Sequence, residues 1–203
     1  MQIVLATNNT DKINEIKYLL EELPVTILTR DDFLEFPDVE ETGNTLKENA
    51  LLKAKAIAEF CELPALADDS GLEVDALNGA PGVYSSRYSG ADATYESNCE
   101  KLLKKLKGVP KEKRTARFRC VIAIDWDDGT TETTEGVAEG FITDDIKGTK
   151  GFGYDPVFYY PPKKKRFSEI TTEEKNLVSH RGIALQNMVG LIMDRLNKLN
   201  ERR

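Results

Sequence analysis

Residues 3–7, Ile-Val-Leu-Ala-Thr, form a short apolar run with β-branched members, the pattern of a buried strand. After the polar turn from Asn8 to Lys12, apolar residues recur at helical spacing. They fall at Ile13, Ile16, Leu19, Leu20 and Leu23, and Pro24 stops them. Strand, turn and helix make the first unit, and Val25 to Leu28 predicts a second strand. Residues 30–44 are acidic and irregular. Thr45 with Glu48 predicts a capping box, opening a helix that runs to about Cys61. Past Pro64, Ala65-Leu66-Ala67 predicts a short strand ending at the adjacent pair Asp68-Asp69. Residues 78–90 read as a loop rich in Gly, Ser and Tyr. A helix from about Ala93 to Lys107 stops at Gly108 and Pro110. Residues 116–126, the turn Asp127-Asp128-Gly129 and residues 130–142 predict a long antiparallel hairpin. A glycine-punctuated loop (148–159) then enters a short strand. Ser179 is the expected N-cap of a final helix with a stripe at Ala184, Met188, Leu191, Ile192, Leu196 and Leu199. No repeat, low-complexity tract or linker divides residues 1–203. The order predicts one α/β domain with a mixed sheet.

Composition narrows the function classes. A net charge of −7 supplies no global basic field, so neither a nucleic-acid polymer nor an anionic membrane is an expected partner. The three cysteines, Cys61, Cys99 and Cys120, are odd in number, widely spaced and lack a CxxC, which points to a reducing compartment. No apolar run reaches membrane-spanning length, and the opening run is too short for a signal peptide. The cytoplasm is the expected location.

Several stretches carry chemistry. The turn Thr7-Asn8-Asn9-Thr10-Asp11-Lys12 joins a buried strand to a helix N-terminus, where free backbone N–H groups and a positive dipole suit phosphate. Helix capping alone would also explain it, and no P-loop is present. Lys53 falls on or beside the inward stripe Leu46, Ala50, Ala54 and Ile57. An inward lysine at a cleft wants an anion, although most such lysines only snorkel their stems. Glu40, Glu41, Asp68 and Asp69 offer hard oxygen ligands of the kind that hold Mg²⁺ against substrate phosphates. With one carboxylate on a metal, its neighbour is available as a general base on water. His180, the only histidine, rules out a multi-histidine metal centre and lies with Arg181 and Lys175 in a donor-rich cluster. Phe152, Gly153, Tyr154 and Asp155 combine an aromatic face with glycine and suit stacking on a base. Lys163 to Arg166 read as a solvated loop. GxSxG is absent, and no nucleophilic triad is suggested. The residues alone predict a metal-dependent site for a phosphorylated, aromatic ligand.

Five blocks then match one family in order and spacing: residues 5–16, 40–54, 67–90, 151–158 and 167–184. The chain resembles the inosine triphosphate pyrophosphatase family (Ham1-like, noncanonical purine nucleoside triphosphate pyrophosphatases). Asn8 departs from it, since many members have glycine there. The resemblance implies an elongated mixed β-sheet flanked by helices, in two lobes with a central active-site cleft. It implies hydrolysis of ITP, dITP and XTP to the monophosphate and pyrophosphate, with Mg²⁺, in a homodimer. It further implies that Thr7 to Lys12 and Lys53 hold the triphosphate. Glu41 and Asp69, helped by Asp68, would bind metal, with Glu40 as the fallback for Glu41 and Asp69 as general base. Ser70, Phe152 to Asp155, Lys175, His180 and Arg181 would contact the nucleotide. A sensor that binds without turnover has no need of the base, and a phosphatase would release orthophosphate instead.

Overall fold

The computed structural model describes residues 1–201. Seven strands form one sheet in the order β2-β1-β3-β4-β5-β6-β7. These are β1 (Gln2–Leu5), β2 (Thr26–Leu28), β3 (Ala65–Val74), β4 (Thr115–Asp125), β5 (Thr131–Ile142), β6 (Phe158–Tyr160) and β7 (Lys165–Arg166). β1 pairs parallel with both β2 and β3, at Ile3↔Ile27 and Val4↔Ala65, as strand-helix-strand connections require. The β5–β6 and β6–β7 pairs are antiparallel, so the sheet is mixed as expected. The helices are α1 (Thr10–Leu20), α2 (Leu46–Cys61), α3 (Tyr95–Lys105), α4 (Thr172–Asn176) and α5 (His180–Glu201). Among the described residues no helix is long and apolar enough to cross a membrane.

Packing divides the chain into two compact units. The first comprises residues 1–69, 120–136 and 181 onward, and the second residues 70–119 and 137–180. In the first, Ile3 and Leu5 of β1, Ile16 and Leu20 of α1, Leu66, Ile122 and Ile124, and Leu185, Met188 and Ile192 of α5 form one buried cluster. Ile16, Leu20, Met188 and Ile192 belong to the stripes expected from helical spacing, whereas Leu185 lies off the expected stripe and Leu199, expected on it, is exposed. In the second, Leu72, Val74, Leu102, Leu106, Phe118, Val157, Phe158 and Phe167 form another.

Two expectations differ. β3 does not end at the aspartates but runs through them to Val74, with nearly every residue buried. Asp68 and Asp69 are therefore mid-strand residues, and their charges need countercharges that only other segments can supply. At α2, Thr45 does accept from the Glu48 N–H at 3.1 Å, but the Glu48 carboxylate caps Asn44 N at 2.6 Å instead of completing the box.

Candidate active site

The first unit gathers charge around the aspartate pair. The α1 turn is built by its own side chains. Asn9 is the N-cap and accepts from Lys12 N at 3.2 Å, while Thr7 Oγ1 accepts from Asn9 N at 3.3 Å. Asn8 Nδ2 donates to Asp38 Oδ1 at 2.9 Å. Capping thus leaves Lys12 pointing inward, with its ammonium 3.1 Å from Asp68 Oδ2.

Asp68 and Asp69 have different surroundings, because alternate strand residues face opposite sides. Asp68 is fully buried, and its Oδ2 accepts from Nε and Nη2 of Arg181, each at 3.1 Å, as well as facing Lys12. Burial works against its charge, but Lys12, Arg181 and Lys53 outweigh it and hold the carboxyl well below the usual range. Arg181 is buried too and donates through Nη1 to Glu15 on α1, so two carboxylates share one guanidinium. Glu15 is a member of this cluster that no motif in the sequence marks. Its position three residues after Lys12, one helical turn on, is the signal that would have found it.

Asp69 meets Lys53 and Glu41. Lys53 Nζ lies 2.6 Å from Glu41 Oε1 and 3.7 Å from Asp69 Oδ1, and donates to the Asp68 carbonyl at 2.9 Å. Burial raises the Asp69 pKa, Lys53 opposes it, and Glu41 and Asp68 raise it further; the net shift is upward. For Lys53 burial opposes the charge, but Asp69, Asp68 and Glu41 prevail and its pKa is raised. Glu41 faces this cluster, whereas Glu40 is exposed.

Among the described residues no three Asp, Glu, His or Cys side chains converge on a point that would hold an ion. The donor set still fits a hard cation. Glu41 and Asp69 share one ammonium, which brings two hard oxygen donors together. Mg²⁺ favours one or two carboxylates with waters and substrate phosphates over an all-protein cage.

The second unit holds the other expected residues. Lys175 is buried on α4, a short helix that no apolar periodicity predicts, with its ammonium 2.6 Å from Asp155 Oδ2 and 4.5 Å from the Phe152 ring centroid. Asp155 Oδ2 also accepts from Phe152 N at 3.0 Å. Gly151 sits at φ +72°, and a Cβ there would collide with that carboxylate, so the loop needs glycine. His180 stacks on Phe118 with centroids 4.6 Å apart and planes 10° from parallel. Tyr154 is buried and donates its hydroxyl to the Ser85 carbonyl at 2.8 Å, which makes it a strut of this unit's core. Ser70, half-buried, follows Asp69 in β3.

A family model described as the Ham1 family matches residues 3–191. The chain belongs to the Ham1 family. A relative from Desulforamulus reducens named dITP/XTP pyrophosphatase is 51% identical over 199 residues, covering 98% of this chain and 97% of the relative. One of the same name from Geobacter sulfurreducens is 53% identical, covering 91% and 92%. A solved Ham1 protein from Coxiella burnetii superposes with a TM-score of 0.88 at 42% identity, covering 96% of this chain and 99% of that one. The Staphylococcus aureus Ham1 protein gives 0.87 at 40%, covering 96% and 100%. These likenesses span the Ham1-family chain almost end to end, so the α/β fold with its mixed sheet is the family's.

Proposed function

We propose that this chain hydrolyses the deaminated purine nucleoside triphosphates ITP, dITP and XTP to the monophosphate and pyrophosphate. The observation that carries the reading is Asp69, a buried carboxylate with a raised pKa beside Lys53 and Glu41. A base poised above the ordinary aspartate range is what proton abstraction from water near neutral pH needs. The names of the relatives support the same substrate class.

The N–H groups at the start of α1, with Lys12 and Lys53, bind the triphosphate and neutralise charge on the departing oxygens. Asp69 takes a proton from the water that attacks the α-phosphorus. The new P–O bond forms as the bond to the bridging oxygen breaks, and pyrophosphate leaves. Mg²⁺ held through Glu41 and Asp69 would supply Lewis-acid polarisation of the phosphate oxygens. Asp68 keeps Lys12 and Arg181 in register.

In the second unit, Phe152 provides a stacking surface and Lys175 a donor for the base. Hypoxanthine and xanthine present an oxygen at C6, where adenine presents an amino group. A donor-lined pocket leaves donor facing donor against adenine, a mismatch worth roughly 10⁴-fold. Guanine shares the oxygen, so its exclusion falls to the 2-position. The family resemblance supports a homodimer, and the sparse, unpaired cysteines support a cytoplasmic location.

Turnover of ITP, dITP, XTP and ATP with Mg²⁺ tests the specificity. The expected kcat/KM for ATP lies at least about 10³-fold below that for ITP. Equal turnover of ATP would refute the donor-pocket account, and full activity with excess EDTA would refute the role of Mg²⁺.

A further inference from the structure

We propose that Tyr95 is a positioning residue for the purine base, holding Phe152 as the wall against which the base stacks. The inference rests on the reading that Phe152 meets the base. Tyr95 is the first residue of α3, and its ring lies 5.9 Å from that of Phe152, tilted by 40°. One turn further along α3, Cys99 lies on the same helix face. Its thiol donates to the Gly153 carbonyl at 3.4 Å. Two contacts from one face of α3 therefore grip the loop from Gly151 to Asp155.

The gripping element is itself well fixed. Thr94 and Ser97 cap α3 reciprocally, Asn98 Nδ2 donates to Ser86 O at 3.0 Å, and Asn98 Oδ1 accepts from Ser89 N at 2.7 Å. The loop needs such support, because Gly151 and Gly153 both take positive φ and impose little rotamer restraint on the residue between them. The Lys175 ammonium approaches the same Phe152 ring at 4.5 Å. Tyr95 is thus an aromatic neighbour of a ring whose orientation decides how a base can stack. It is 45% exposed, so its ring adds little to the core, and the contact's main consequence is the setting of Phe152.

Steady-state kinetics with ITP and Mg²⁺ on Tyr95→Ala, Tyr95→Phe, Phe152→Ala and the double alanine variant provide the test. Tyr95→Ala raises KM about two- to tenfold, the range of an aromatic pair, while kcat stays within about twofold. Tyr95→Phe restores the wild-type KM, and Tyr95→Ala adds nothing once Phe152 is gone. A normal KM for Tyr95→Ala beside a raised KM for Phe152→Ala overturns this inference alone. So does an additive effect in the double variant, because Tyr95 then acts without Phe152. A normal KM for Phe152→Ala instead removes the base-stacking reading, and this inference with it. Should the alanine variant fail to fold, Tyr95→Leu keeps the bulk without the ring and must show the same rise in KM.

Discussion

Asp69→Asn lowers kcat for ITP by about 10³-fold while the nucleotide still binds with Mg²⁺. The substitution is nearly isosteric and leaves Lys12 on Asp68, Lys53 on Glu41 and the α1 turn in place. What it removes is the acceptor for the proton of the attacking water. The pH profile should carry the same signature. Burial, Glu41 and Asp68 lift the Asp69 pKa above the ordinary 3.8. The base works only when deprotonated, so kcat/KM falls as pH drops through that raised value, and added Mg²⁺ pulls the limb back down. The limb is lost in Asp69→Asn. Single-turnover measurement of ITP cleavage against pH checks both, and a wild-type rate in the variant would place the base elsewhere.

Asp68→Asn acts on the fold. Asp68 is fully buried, and its Oδ2 answers Lys12 and Arg181, each at 3.1 Å. Taking away that charge leaves Lys12 without its carboxylate and Arg181 with Glu15 alone. Breaking a buried pair costs about 3–5 kcal/mol, which in a chain of this size lowers the melting temperature by roughly 10 °C. The pH dependence has a definite sign. The folded pKa of Asp68 lies below its unfolded value, ordinarily 3.8. Its contribution is therefore present above that value and lost as pH falls towards the folded one. Wild type and variant should differ most near neutrality and converge under strong acid. Thermal melts without nucleotide check this, and an unchanged melting temperature at pH 7 would show that the pair contributes nothing net.

Much of this division was legible in the residues. Helical spacing put Lys53 on the inward side of α2, and its ammonium does meet Glu41 and the Asp68 carbonyl. Nothing local separated Glu40 from Glu41, because neighbours in an irregular segment point by tertiary contact, and only Lys53 decides between them. Asp68 and Asp69 read as a strand end because adjacent carboxylates before Ser-Gly resemble a solvated turn. The cations that let the strand continue come from residues 12, 53 and 181. Glu15 is a similar case. The stripe of α1 runs through Ile13, Ile16, Leu19, Leu20 and Leu23, and the cation that meets Glu15, Arg181, comes from the far end of the chain. Tyr154 shows the converse limit, since Phe-Gly-Tyr-Asp does not tell which aromatic turns into the core.

The chemistry proposed for Asp69 and the α1 turn makes one bond the target, that between the α- and β-phosphates. Incubation of the protein with dITP and Mg²⁺, with pyrophosphate and orthophosphate quantified in the same sample, tests it most directly. One pyrophosphate per dIMP, with no orthophosphate beyond background, is the expected result. Stepwise orthophosphate with dIDP as product, or dITP bound and unchanged, would contradict the account.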